Sequence, residues 1–158
     1  MPGRLLGLDY GSKTVGVAVS DPFGYTVRGI EIIRREKENH IRKTLRRIGE
    51  LIGELEVTEI VLGLPLNMDG SSGERAEKTK QFGEILRERT GLPVRLTDER
   101  LTTVEAEEIM QDKGIRREHY DRYVDMYAAC VILEDYLNSH GNSALTEEQY
   151  GYNQINSR

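Results

Sequence analysis

Cysteine is almost missing from this chain. Cys130 is the single one, so no internal disulfide can form, and its place in the run Ala128-Ala129-Cys130-Val131-Ile132-Leu133 reads as a small buried hydrophobe. Histidine is scarce too: His40, His119 and His140 sit in polar surroundings without metal-ligand spacing, which leaves no zinc-type pattern. No apolar run approaches the ~20 residues that a membrane-spanning helix needs, and no basic-then-apolar leader opens the sequence. Together these absences point to a protein of the reducing cytoplasm that does not enter a membrane. No internal repeat and no second-domain boundary is visible.

What is present suits one globular domain. The chain has 158 residues, 37% hydrophobic and 31% charged, enough to bury a core without staples and too apolar for a disordered protein. The expected division is a domain over 1–141 and a polar, aperiodic, disordered tail over 142–158. A net charge of -5 argues against non-specific coating of nucleic acid, but one short region concentrates Arg34, Arg35, Lys37, Arg42, Lys43, Arg46 and Arg47. A solvated helix face is the ordinary account of such a run.

The chain opens on a strand, a turn and a strand. Leu5 to Leu8 lead to Asp9, and after Gly11-Ser12-Lys13 the large residues Val15, Val17 and Val19 alternate with Gly16, Ala18 and Ser20. Asp9 either caps that turn through backbone N–H groups or serves as a functional acid. A third strand is expected over Tyr25 to Ile33. The period then changes, and Ile41, Leu45, Ile48, Ile52 and Leu55 mark an amphipathic helix in which Gly49 and Gly53 either weaken the helix or allow close packing.

A buried strand over Thr58 to Pro65, a turn-rich loop over Asn67 to Gly73 and a helix from Glu74 to Arg89 come next. Pro93 to Thr97 reads as a second buried strand running into Asp98-Glu99. Thr102 and Glu105 have capping-box spacing, with Thr102 at the N-cap of a third helix that stops by Gly114. Lys113 to Arg122 reads as a mobile basic loop, and Tyr123 to Asn138 as the last helix.

The order is β-β-β-α-β-α-β-α with an extra helix near the end. Short connections make the first three strands antiparallel, and right-handed crossovers make the strands ending at Asp9, Leu64 and Thr97 parallel neighbours. Their C-terminal ends then open on one edge, where open α/β sheets bind ligands. Asp9 thus meets the Asp98-Glu99 pair. On the last helix Asp125 shares a face with Ala128, Ala129, Ile132 and Tyr136, the side turned to the sheet; a salt bridge to Arg100 or Arg122 is its structural alternative. Carboxylates converging without histidine or cysteine form an all-oxygen site suited to Mg2+ or Mn2+. Two such ions about 4 Å apart can drive phosphodiester hydrolysis.

Four motifs carry a family resemblance: Leu8-Asp9-Tyr10-Gly11 with Gly16-Val17-Ala18; Gly63-Leu64-Pro65 with Asp69-Gly70-Ser71; Thr97-Asp98-Glu99-Arg100-Leu101-Thr102-Thr103; and Val124-Asp125 with Ala128-Ala129. In this order and spacing, the chain resembles the YqgF or RuvX family, Holliday-junction-resolvase-like proteins named for pre-16S rRNA cleavage. The resemblance implies a ribonuclease-H-like fold with a mixed five-stranded sheet. It also implies a two-metal nuclease acting on structured RNA or branched DNA. Asp9, Glu99 and Asp125 are then the catalytic acids, and Asp98 joins them as a candidate metal ligand. Better-understood resolvases carry an acid at the end of the fourth strand, where this chain has Leu64, Pro65 and Asn67, so the acid has moved to the fifth.

Adjacent strand residues face opposite ways, so one of Asp98 and Glu99 points at the metals. Glu99 is the favoured one, with Asp98 orienting Arg100 or the loop. Lys13, Ser71 and Arg100, near the acids, and Arg116, Arg117 and Arg122, on the basic loop, are candidate nucleic-acid contacts. The oligomeric expectation is a monomer or weak homodimer. Two other readings stand beside the nuclease: a non-catalytic ribosome-assembly module of the same fold, and an ATP-binding relative of sugar kinases suggested by Asp9-Tyr10-Gly11-Ser12 with Gly16.

Overall fold

The computed structural model describes residues 3–100 and 102–141; the tail expected over 142–158 lies outside them. Alternating residues build β1 (Arg4–Tyr10) and β2 (Thr14–Ser20). The turn between them is closed by the Gly11 N–H donating to the Thr14 carbonyl at 2.7 Å. β3 (Val27–Arg34) starts later than its aromatic content suggests. The reason is Asp21, whose carboxylate accepts the N–H groups of Phe23, Tyr25 and Thr26 at 3.3, 2.6 and 2.8 Å and holds that segment as a loop.

The chain continues through α1 (Arg42–Leu55), β4 (Val57–Leu64), α2 (Glu74–Thr90), β5 (Val94–Asp98), α3 (Thr102–Asp112) and α4 (Tyr120–Tyr136). Sheet order is β3-β2-β1-β4-β5. β1, β2 and β3 pair antiparallel, whereas β4 is parallel to both β1 and β5. The mixed five-stranded sheet expected from the crossovers is therefore the one found.

Its two faces are built differently. Leu6, Leu8, Val15, Val17, Ile60 and Leu62 bury against α1 and α2 through Leu45, Ile48, Phe82 and Leu86. On the other face Ala18 and Val61 meet Ala129, Ile132 and Leu133 of α4. This second face is floored by glycine. A Cβ on Gly7 would come within 2.9 Å of Leu133 Cβ, and one on Gly16 within 1.8 Å of the Asp125 carbonyl oxygen. The helix backbone lies directly on the sheet because these strand positions carry no side chain.

Three local expectations are corrected, and one pair of alternatives, for Gly49 and Gly53, is narrowed to the first. β5 is an edge strand, with Arg95 and Leu96 exposed, because no strand pairs beyond it and α2 covers only part of its inner face. Gly49 and Gly53 have nothing within 4 Å of an added Cβ, so neither serves close packing. Thr102 opens α3 and its hydroxyl donates to the Glu99 carbonyl and carboxylate at 3.1 and 3.4 Å, in place of the expected capping box with Glu105. The basic stretch after Gly114 is ordered: Arg117–His119 form a 3-10 turn and α4 begins at Tyr120. Its first turn is solvent-facing, so no apolar period marked it as helix.

The open surroundings of Gly49 allow a direct check. Gly49→Ala should stabilise the protein by about 0.5–1 kcal/mol, because alanine restricts the unfolded chain and is the better helix former. A thermal melt should read this as a rise of about 1–4 °C; a fall would mean that Gly49 has a packing role.

Candidate active site

The site is set by strand parity. Leu6, Leu8 and Tyr10 of β1 face α1 and α2, so Asp9 faces α4. Leu64 pairs with Asp98 at the ends of β4 and β5. One residue further the Glu99 N–H donates to the Leu64 carbonyl at 3.1 Å, which turns Glu99 to the same side as Asp9. Their carboxyls hydrogen-bond to each other. Gly63 makes room for this: a Cβ there would stand 2.7 Å from Glu99 Oε1 and 2.4 Å from Ile132 Cδ1.

Both acids are perturbed. Burial, then the nearby Asp125 charge, pushes Asp9 up to about 7, opposed by the Glu99 hydrogen bond and by the Arg75 guanidinium. Burial, then the Asp9 charge, pushes Glu99 up to about 8. Asp9 keeps some solvent contact but is closely surrounded, and the two acids titrate as a pair, both raised by burial and by the charge of a neighbouring carboxylate. Asp125, near enough for its charge to act on Asp9, has its Oδ2 accepting from the Thr14 hydroxyl at 2.8 Å. Among the described residues no three acids are yet drawn to a common point.

The remaining candidates fall into separate groups. Asp98 faces away from Asp9 and is held by Arg100, whose Nε and Nη2 reach its Oδ2 at 2.8 and 2.7 Å; this bond holds the Asp98 carboxyl below its ordinary range. Arg100 also donates to the Met68 carbonyl at 2.8 Å, tying β5 to the loop after β4. Ser71 is occupied within that loop, accepting from Asn67 at 2.9 Å and donating to Asp69 at 2.6 Å. Lys13 is exposed on the turn beyond Asp9 and has no ion pair among the described residues.

Arg116, Arg117 and Arg122 are all exposed. Arg116 lies 3.9 Å from Glu118, and Arg117 stands 6.0 Å over the Tyr120 ring. They lie on the 3-10 turn and the α4 start, outside the acid cluster.

Sequence reasoning missed four participants. Thr14 and Thr102 hydrogen-bond Asp125 and Glu99, and a hydroxyl three positions from an acid, or on a strand far in sequence from the helix that carries the acid, gives no local signal. Arg75 and Arg35 flank Tyr10, at 5.1 and 4.8 Å from its ring, while Phe82 stacks on it at 4.0 Å. Arg75 also pairs with Glu38 at 2.7 Å.

As donors, Asp9 and Glu99 offer only oxygen. Neither carboxyl has an arginine or lysine in hydrogen-bonding contact among the described residues. Negative charge that develops there is offset only by the more distant Arg75 guanidinium and the Thr102 hydroxyl, which leaves room for a hard divalent cation.

Acids at the C-terminal edge of a 3-2-1-4-5 mixed sheet, with helices on both faces, place the molecule in the ribonuclease-H-like class. Its fold matches that of Thermus thermophilus RuvC solved in complex with a Holliday junction substrate: TM-score 0.52, 11% identity, 88% of this chain and 96% of that one. RuvC of the same organism in a second structure also gives 0.52, at 14% identity and 87% and 96% coverage. The chain belongs to the RuvX family, whose model, described as Holliday junction resolvase, matches residues 3–139. Proteins named "Putative pre-16S rRNA nuclease" are similar along nearly their whole length. The one from Agathobacter rectalis is 55% identical over 140 residues, 89% of this chain and 98% of its own. That from Lachnospira eligens is 52% identical over 136 residues, 86% and 97% of the two chains.

Proposed function

We propose that this protein is a divalent-metal-dependent nuclease that hydrolyses phosphodiester bonds at the 5′ end of pre-16S rRNA during ribosome biogenesis. The observation that carries the reading is the Asp9–Glu99 carboxyl pair at the sheet edge, in a chain whose relatives bear that nuclease name. Asp9 and Glu99 would hold Mg2+ or Mn2+, with Asp125 completing the set once its carboxylate leaves Thr14. When bound, a pair of such ions activates water and stabilises the leaving oxygen.

The chain's own residues position the rest. Gly63 and Thr102 orient the Glu99 carboxylate, and Arg100, anchored by Asp98, keeps the loop after β4 against β5. Lys13 on the turn beyond Asp9 would meet the scissile phosphate, and Arg116, Arg117 and Arg122 a flanking strand. Ser71 shapes its loop. No helix among the described residues is long and apolar enough to cross a membrane, and the compartment proposed with this role is the cytoplasm.

Incubation of the pure protein with pre-16S rRNA and with a four-way DNA junction, each with Mg2+ or Mn2+, tests the reading. Cleavage of the rRNA near its mature 5′ end, lost in EDTA and in Asp9→Asn, is the expected result. Cleavage of neither substrate under any metal condition overturns the nuclease reading. The description of the family model favours a second reading, a junction resolvase. Symmetric junction cleavage by a species of dimeric mass in solution would select it; rRNA cleavage by a monomer or weak homodimer would select the first.

A further inference from the structure

The basic segment around α1 is absorbed by none of the roles above. It lines a trough of about 1010 Å³ bounded by the end of β3, the start of α1 and the end of α2. Arg34, Arg35, Arg42, Lys43, Arg46 and Arg89 meet there, against one acid, Glu36. None of the six is in an ion pair among the described residues. The contrast with the next residue is direct: Arg47 points away from the trough and contacts Glu31, Glu50 and Glu54 at 2.7, 3.0 and 3.9 Å. Elsewhere among the described residues about half of the arginines and lysines, Arg75, Lys80 and Arg95 among them, have carboxylate partners, and the unpaired ones are scattered instead of gathered around one cavity.

Holding six unneutralised cations around one cavity in a chain of net charge -5 is electrostatically unfavourable until a polyanion enters. One phosphate would satisfy only two or so of them, whereas successive phosphates of a strand can meet several cations around one cavity. The floor is apolar, formed by Ile41, Leu45 and Ile85, and accepts sugar and base edges.

Arg35 joins the trough to the active-site turn. Its N–H donates to the Lys13 carbonyl at 2.8 Å and its guanidinium to the Gly11 carbonyl at 2.7 Å. The β3 end, the start of α1 and the turn after Asp9 thus share one edge of the sheet.

We propose that this trough binds the sugar-phosphate backbone of the RNA substrate, in a segment flanking the bond presented to Asp9 and Glu99. The proposal rests on the nuclease reading for the identity of the strand but concerns binding, so it is tested without cleavage. Fluorescence anisotropy of a labelled RNA from the 5′ flank of 16S rRNA, in EDTA, compares the wild type with Arg42→Ala/Lys43→Ala/Arg46→Ala. Lys80→Ala/Arg87→Ala/Arg95→Ala, drawn from ion-paired surface positions, removes the same charge outside the trough.

The trough variant should bind about tenfold or more weakly at about 100 mM salt, with the slope of log affinity against log salt reduced by about 2. The control should keep the wild-type slope. In the wild type, bound RNA should also shield Lys43 Nζ from acetylation. Equal affinity and slope in the trough variant and wild type, or unprotected Lys43, overturns the proposal. So does an equal loss in the control, which would mean bulk charge. A wild type that binds RNA with the trough signature but cuts nothing would overturn the nuclease reading while supporting the trough; cleavage with the trough variant binding normally would do the reverse.

Discussion

Asp9→Asn should remove activity and, without metal, make the protein more stable. The amide keeps the shape of the carboxyl but cannot carry the negative charge a hard cation needs, so cleavage should fall on the order of 10³-fold or more, beyond the 10- to 100-fold typical of outer-shell changes. The stability effect has the opposite sign and depends on pH. In the folded protein burial raises Asp9 to about 7 and Glu99 to about 8, whereas in the unfolded chain both ionise near pH 4.

Between those values the native state binds more protons than the unfolded state, so stability falls as pH rises. The protonated pair stabilises fully below about pH 4, and that stabilisation is lost through about pH 7 to 8. Asp9→Asn removes one of the two titrations. In EDTA at pH 8 the variant should melt several degrees above the wild type, on the order of 1–3 kcal/mol, and at pH 4 the two should nearly coincide. Adding Mg2+ or Mn2+ at pH 8 should raise the wild-type midpoint and leave the variant's unchanged. A variant that melts lower than the wild type by the same amount at every pH would show Asp9 to be a structural turn residue instead.

Gly16→Ala should be the most damaging single methyl group in the molecule. The added Cβ would sit 1.8 Å from the Asp125 carbonyl oxygen, 2.3 Å from its carbonyl carbon and 3.0 Å from the Met126 nitrogen. All three are helix backbone, so no rotamer change relieves the clash and α4 itself must move. Such overpacking should cost about 3 kcal/mol or more, a drop of about 6–12 °C in the thermal midpoint.

The shift would carry Asp125 away from Thr14, so the 2.8 Å hydrogen bond between them should break. Activity should then fall even at temperatures where the variant is folded. A midpoint within about 1 °C of the wild type would mean that α4 does not rest on β2 as described. Gly49→Ala, in the open, supplies the matched comparison of the same chemical change with the opposite expected sign.

Gly16 shows where local pattern stops. The alternation of Val15, Val17 and Val19 with Gly16, Ala18 and Ser20 marks a strand with one large and one small face. It does not say that a helix backbone occupies the small face. The same holds for Asp125: helical spacing turns it toward the sheet, yet its partner is the hydroxyl of Thr14 and not Arg100 or Arg122. The parity of Asp98 and Glu99 was legible because it is a property of one strand end. Capping-box spacing pairs Thr102 with Glu105, but that spacing is local, whereas the Thr102 hydroxyl bonds back to Glu99.

The basic segment divides in the same way. Its composition is plain in the chain, but Arg46 and Arg47 look alike there; only the approach of β3 and α2 decides that Arg47 finds Glu31 while Arg46 faces the trough.

By itself, then, the amino-acid sequence determined the order of strands and helices, the crossover directions that make β1, β4 and β5 parallel, and the meeting of Asp9 with the Asp98-Glu99 pair at one sheet edge. Each follows from periodicity and chain connectivity, which act over a few residues or through one handedness rule. The tertiary structure alone decided the seating of α4 on glycines, the burial that raises Asp9 and Glu99 together, the exposure of β5 and the split of the basic run into paired and unpaired cations. Those depend on the distance between side chains of remote segments, where a shift of an ångström separates a hydrogen bond from a clash and burial from water.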